Sequence, residues 1–170
     1  KDISDRVVVT AICDPVVARA REAGEKFSVP NVYADLDDML ADNQIDAVTI
    51  VSPIGLHFAH CHAALSAGKH VHVNKTMTTT VAEADELIAL ANRKGLKIVA
   101  SPGEILRPQI TAARRLLRSG AIGTISWATC GCAFGDYHEN ETERVSGGTR
   151  IDPTWYFRLP GGGPMYDMTS

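Results

Sequence analysis

Apolar and polar positions along the chain fall into two alternating kinds of segment. Four runs rich in β-branched residues, 7–14, 45–53, 69–75 and 97–102, predict strands. The first, second and fourth contain nearly continuous apolar stretches (VVVTAIC, AVTIV, IVA), the pattern of strands covered on both faces in a parallel sheet; the third alternates more. Between them, 16–27, 36–41, 56–67 and 81–92 carry helical spacing. The last is the clearest. Val81, Ala84, Leu87, Ile88 and Ala91 fall at steps of three and four, Thr80 with Glu83 forms a capping-box pattern, and Gly95 supplies a C-terminal stop. Glu83, Asp85 and Glu86 early, with Arg93 and Lys94 late, suit the helix dipole.

Strands alternating with helices of this length imply right-handed crossovers and a doubly wound α/β domain with a parallel sheet. Ligands of such sheets bind beyond the carboxyl ends of the strands. Here those ends read Asp14-Pro15, Ser52-Pro53, Asn74-Lys75-Thr76 and Ser101-Pro102. After Gly103 the pattern changes to one basic helix over 108–118, closed by Gly120, and a strand-like run over 124–134. A second domain is expected to begin here, dividing the chain into 1–103 and 104–170. Residues 135–150 read as a long polar loop, followed by Trp155-Tyr156-Phe157 and Gly161-Gly162-Gly163-Pro164. A start without Met, a few residues before a strand, suggests a segment of a longer protein.

Composition narrows the partners. In 170 residues, 17 Lys plus Arg against 20 Asp plus Glu leave a net charge of −3, and 45% of positions are hydrophobic, as in an ordinary globular chain. Scattered bases and a pI near 6.1 supply no phosphate-tracking stripe, so neither nucleic acid nor a membrane is expected as a primary partner. With no apolar run of about 20 residues and no apolar leader, a cytoplasmic location is expected. Cys13, Cys61, Cys130 and Cys132 lack zinc-finger spacing and read as free thiols, most simply buried ones. His57, His60, Cys61 and His62 crowd one predicted helix, yet no carboxylate sits among them, and no metal is expected. Ser66 lies at a helix end rather than in a nucleophile elbow, and Gly68-Lys69-His70 is not a phosphate loop.

Two strand-end residues carry chemistry. Asp14 stands where an acid accepts hydrogen bonds from the adenosine ribose and repels a 2′-phosphate, favouring NAD over NADP; it equally suits a cap on the helix beginning at 16. The companion G-x-G-x-x-G is absent from the chain and would fall before Lys1. Lys75 would be held rigidly where a substrate hydroxyl or carbonyl meets it; an ion-paired lysine at a sheet edge is the plainer alternative.

Ser52-Pro53, His57, Ala64-Leu65-x-Ala67-Gly68-Lys69-His70-Val71 and Asn74-Lys75-Thr76 closely resemble the signature stretch of the Gfo/Idh/MocA oxidoreductases. Trp155 followed by Gly161-Gly162-Gly163-Pro164-x-Tyr166-Asp167 resembles their second-domain motif. The resemblance implies a Rossmann-like sheet lacking its first strand, then the beginning of an α+β domain with a mostly antiparallel sheet. It implies NAD as cofactor, a sugar, cyclitol or related polyol as substrate, and a homo-oligomer, dimer or tetramer. By resemblance Ser52, Pro53 and His57 line the nicotinamide half of the cofactor site, Asn74 and Lys75 also bind the cofactor, and Lys75 contacts the reacting hydroxyl. Asp167 matches the acid of the family's D-x-x-x-H motif, whose histidine would follow Ser170. Two positions depart from the family's E-K-P: Asn74 removes a charge beside Lys75, and Thr76 replaces a proline that is often in a cis linkage.

The activity so implied is reversible hydride transfer between a secondary alcohol carbon and the nicotinamide. Lys75 would polarise the oxygen, and the histidine oriented by Asp167 would move the proton. Trp155 and Tyr156 would offer an apolar face to a sugar ring, with Arg107, His138 or Arg158 bonding its hydroxyls. Packing explains the aromatics and solvation the polar three as well. Two other readings stay open: an NAD-using non-redox enzyme that cleaves glycosidic bonds, and a catalytically silent sugar- or cofactor-binding protein.

Overall fold

A computed structural model of the chain describes residues 4–101, 103–129, 144–146 and 149–151. Strand β1 (Ala11–Cys13), helix α1 (Val17–Phe27), strand β2 (Asn31–Tyr33) and helix α2 (Leu36–Leu40) form the first part. Strand β3 (Ala47–Ile50), a 3-10 turn (Ile54–Leu56), helix α3 (His57–Ser66), strand β4 (His70–Val73), helix α4 (Val81–Lys94) and strand β5 (Ile98–Ala100) follow. Beyond a second 3-10 turn (Gly103–Leu106) come helix α5 (Pro108–Arg118) and two short strands, β6 (Arg144–Ser146) and β7 (Thr149–Ile151).

All strand pairs before residue 101 are parallel, as the alternation of strands and helices requires. β1 pairs with β2, and β3–β4–β5 form a second sheet in that order. Ile50, Val73 and Ala100 are aligned across the second sheet, so the chain leaves all three strands at one edge. This is the Rossmann-like arrangement expected from the sequence. One strand, β2, is absent from that expectation; Asn31-Val32-Tyr33 is too short to show a period.

Helices α3 and α4 pack on one face of the second sheet. Cys61, Ala64 and Leu65 from α3, and Leu87, Leu90 and Ala91 from α4, meet Val48, Ile50, Val71 and Val73 in one cluster with Leu40 and Ile45. Leu65, Leu87 and Val73 are fully buried, each contributing roughly 1.5–3 kcal/mol of apolar burial. The expectation of strands covered on both faces is corrected: Thr49, His72 and Val99, aligned in register across the other face, are exposed. Both crossover helices lie on the same side, so only alternate residues of these strands are covered. Likewise Val7, Val8 and Val9 precede β1 without joining it and are exposed, because its partner β2 is only three residues long.

Helix α4 begins as its pattern dictates. The Thr80 side chain accepts from the Glu83 N–H at 3.2 Å while the Glu83 carboxylate accepts from the Thr80 N–H at 3.1 Å. Gly95 ends the helix at φ 67°, a left-handed geometry that only glycine adopts cheaply. In α1, a Cβ on Gly24 would come within 3.0 Å of a Val32 methyl, so glycine permits the helix to lie against β2.

Past residue 103, α5 forms over the expected span with Pro108 in its first turn and none of its residues buried. Residues 124–129 form no strand, against expectation; among the described residues none pairs with their backbone. The polar stretch 135–150 is not all loop, since β6 and most of β7 lie in it and pair antiparallel, Val145 opposite Arg150. The sequence signal for that hairpin is Gly147-Gly148, a turn pair between two strand-length segments. Residues 130–134 of the expected strand lie outside the described residues, as do Cys130 and Cys132.

Candidate functional site

The common edge of β3, β4 and β5 is built by backbone bonds that continue the ladders past the strand ends. Asn74 N–H donates to the Ile50 carbonyl at 2.8 Å, and Ser101 N–H donates to the Val73 carbonyl at 2.7 Å. The segments following the strands, Ser52-Pro53, Asn74-Lys75-Thr76 and Ser101, therefore emerge side by side at the carboxyl edge, where open α/β sheets bind ligands. All are half-buried. The Lys75–Thr76 peptide bond is cis, with threonine in the place of the family's proline.

His57, the first residue of α3, joins two of these segments. Its ring lies 2.6 Å through Nδ1 from the Thr76 carbonyl and 2.8 Å through Nε2 from the Ser52 carbonyl. The side chain is 1% exposed. One turn further along α3, His60 Nδ1 lies 2.9 Å from the Ser52 hydroxyl. Burial first, and then the charge on His57, hold the His60 imidazole below its ordinary value. The Ser52 hydroxyl, able both to donate and to accept, is held against α3 by this ring. His60 is missed by sequence reasoning except as a metal-ligand candidate; its signal is its place one turn after His57 on the helix leaving the same strand.

Asp14 ends β1, in the other parallel pair, where its N–H donates to the Tyr33 carbonyl at 3.2 Å. One carboxylate oxygen accepts from the Val16 N–H at 2.8 Å, and the other pairs with Arg19 at 3.1 Å. Asp14 thus closes the turn before α1 instead of capping the helix, whose N-cap is Val16, and each oxygen keeps a further lone pair for a ligand hydroxyl. Arg19 carries no signal in the sequence beyond its position one turn into α1.

Arg107 is exposed at the start of α5. His138, Trp155, Tyr156, Arg158 and Asp167 lie outside the described residues. Cys61 is fully buried, which pushes its thiol up to about 12, and it serves as a core side chain. Cys13 is half-buried, its thiol raised by burial and by the carboxylates of Asp35, Asp14 and Asp38. Among the described residues no group of three or more His, Cys, Asp or Glu is placed to hold a metal ion, and no helix is long and apolar enough to cross a membrane.

A parallel sheet with crossover helices and a polar carboxyl edge defines a dinucleotide-binding domain of the Rossmann class. Residues 1–101 match the family described as an oxidoreductase family with an NAD-binding Rossmann fold, and the chain belongs to it, the Gfo/Idh/MocA oxidoreductases. Among curated relatives, D-apiose dehydrogenase of Paraburkholderia graminis is 32% identical over 123 residues, 72% of this chain and 33% of the relative. The scyllo-inositol 2-dehydrogenase (NADP(+)) of Bacillus subtilis is 27% identical over 125 residues, 74% of this chain and 34% of that protein. The crystal structure of scyllo-inositol dehydrogenase from Lactobacillus casei with bound NAD(H) and scyllo-inositol superposes with a TM-score of 0.64 at 30% identity, covering 69% of this chain and 35% of that one. The chain thus spans about a third of the length of the relatives it matches.

Proposed function

We propose that the chain is the dinucleotide-binding portion of an oxidoreductase that moves a hydride between NAD and a secondary alcohol of a sugar, cyclitol or related polyol. The observation that carries this reading is the gathering of Ser52, Asn74, Lys75 and Ser101 at one carboxyl edge, locked by His57, in a chain of this family. The donor set suits a nicotinamide dinucleotide. Ser52 and Asn74 offer hydroxyl and amide groups, Pro53 and Lys75 flank them, and Asp14 offers carboxylate lone pairs to the adenosine ribose. NAD, when bound, supplies the hydride acceptor. Lys75 holds the substrate oxygen and stabilises charge developing there, and Asp167 orients the residue that moves the proton.

Supporting this assignment are the dehydrogenase relatives, one with NAD(H) and scyllo-inositol bound and another named for NADP(+). In the same reading, residues 104–170 begin a domain that supplies Trp155, Tyr156, Arg107, His138 and Arg158 to the substrate and surface to a dimer or tetramer in the cytoplasm.

The test is a Lys75→Ala variant of the intact protein assayed with NAD and a panel of cyclic polyols and sugars. Turnover is expected to fall by about 100-fold or more with cofactor affinity kept, the loss of one charge-stabilising group. Steady substrate conversion without NADH accumulation would select the glycoside-cleaving alternative. Ligand binding without isotope exchange from a deuterated polyol would select the silent binding protein.

A further inference from the structure

We propose that His57 is a positioning residue for this site, an imidazolium clamp that fixes Lys75 by holding the carbonyls of Ser52 and Thr76 with both ring nitrogens. The proposal deepens the reading of the strand-end site as a cofactor and substrate site, and rests on it for the catalytic part of its test.

The two contacts, 2.6 Å and 2.8 Å, are both to carbonyl oxygens, which only accept. A neutral imidazole has one N–H and one lone pair, so it satisfies one carbonyl and turns a lone pair toward the other. Only the ring with hydrogen on both nitrogens donates to both. The Ser52 contact, at 2.8 Å, falls in the range of charge-assisted N–H bonds, and the Thr76 contact, at 2.6 Å, is shorter still. At 1% exposure no bulk water is at hand to substitute for either bond. Both polar atoms of the ring thus face the protein backbone, and any contact of His57 with a cofactor is made through the segments it holds.

Thr76 follows Lys75 directly, and the Asn74 N–H is fixed on the Ile50 carbonyl. Lys75 is therefore bracketed: the backbone before it is tied to β3, and the backbone after it is tied to α3 through His57. The same ring holds the Ser52 carbonyl, while His60 takes the Ser52 hydroxyl. One buried side chain therefore sets the spacing between the β3 end, proposed for the nicotinamide, and the β4 end, proposed for the substrate oxygen.

The experiment has two arms on the intact protein. In the first, ring nitrogen NMR of histidine-labelled wild-type protein at neutral pH, assigned by loss of the signal in His57→Gln, is expected to show both nitrogens bearing hydrogen. A neutral tautomer at His57 would overturn the clamp, whatever the enzyme's activity. In the second, His57→Gln and His57→Asn are normalised to NAD-binding sites, so that any unfolded fraction drops out. Each amide provides donors on one side only. kcat is expected to fall on the order of 100-fold, with KM and cofactor Kd within about threefold, roughly 0.7 kcal/mol. Unchanged kcat per site would overturn the positioning role. If no polyol is turned over by the wild type, the functional reading fails, while the NMR arm still decides the clamp.

Discussion

The β3–β5 sheet with α3 and α4 and the segment containing α5 each include an amphipathic helix, α4 in one and α5 in the other, yet they end in opposite states. In the first, helices of 10 and 14 residues bury Leu65, Leu87, Leu90 and Ala91 against Val48, Val71 and Val73. In the second, an 11-residue helix with an equally regular apolar stripe leaves Ile110, Leu116 and Leu117 between 42% and 49% exposed. The comparison teaches that a stripe specifies a helix but not its burial. What buries α3 and α4 is the parallel register of β3, β4 and β5, which sets two crossover helices side by side on one face.

That contrast is most directly broken by truncating matched leucines. Leu65→Ala or Leu87→Ala is expected to destabilise the protein by about 2–5 kcal/mol, read as a lowered urea midpoint. A loss below about 1 kcal/mol would mean that the α3–α4 layer is not the core. A smaller effect is expected where α4 starts: Thr80→Ala removes the acceptor for the Glu83 N–H and should cost about 1 kcal/mol in the same measurement, with Thr80→Ser retaining most of it.

Smaller again is a pH effect carried by His60. Its folded pKa is lowered, by burial and then by the charge of His57, so the unfolded chain takes up a proton that the folded chain resists. Stability is therefore expected to decline as pH falls through the ordinary histidine range, about 6–7. His60→Gln should flatten that part of the profile, and an unchanged slope would refute the assignment. The smallest effect belongs to the exposed helix: Leu116→Ala is expected within about 0.5 kcal/mol of wild type. A loss as large as that of Leu87→Ala would erase the difference between the two regions.

Much of this architecture is legible before any coordinates. The Thr80–Glu83 capping pattern, the step of three and four from Val81 to Ala91 and the stop at Gly95 place α4 to within two residues. The polar strand ends at Ser52, Asn74-Lys75 and Ser101 reveal the edge that the parallel sheet then assembles. Other features are hidden for physical reasons. β2 is three residues long, shorter than any period can show. The exposure of Thr49, His72 and Val99 depends on which face two helices choose, and local apolarity is silent about that. The partners of His57 are backbone carbonyls 5 and 19 residues away, invisible to any reading of side-chain types. The family signature nonetheless marks the position. Asp14 shows the converse: in place of the helix cap that its position suggests, its carboxylate holds the turn before α1 and Arg19.

Asp42 lies at the far end of β3 and β4 from the lysine edge. Its carbonyl receives the ammonium of Lys69, which is only 6% exposed, at 2.7 Å, and its carboxylate receives the Tyr33 hydroxyl at 3.0 Å. Asp42 thus adds a polar tie, through Tyr33 and Lys69, to the apolar one that Ala11, Leu36 and Met39 make by packing against the β3–β5 core. The phenol that reaches Asp42 belongs to the last residue of β2, whose carbonyl holds the Asp14 N–H, so a change at Asp42 is felt at the strand end that carries Asp14.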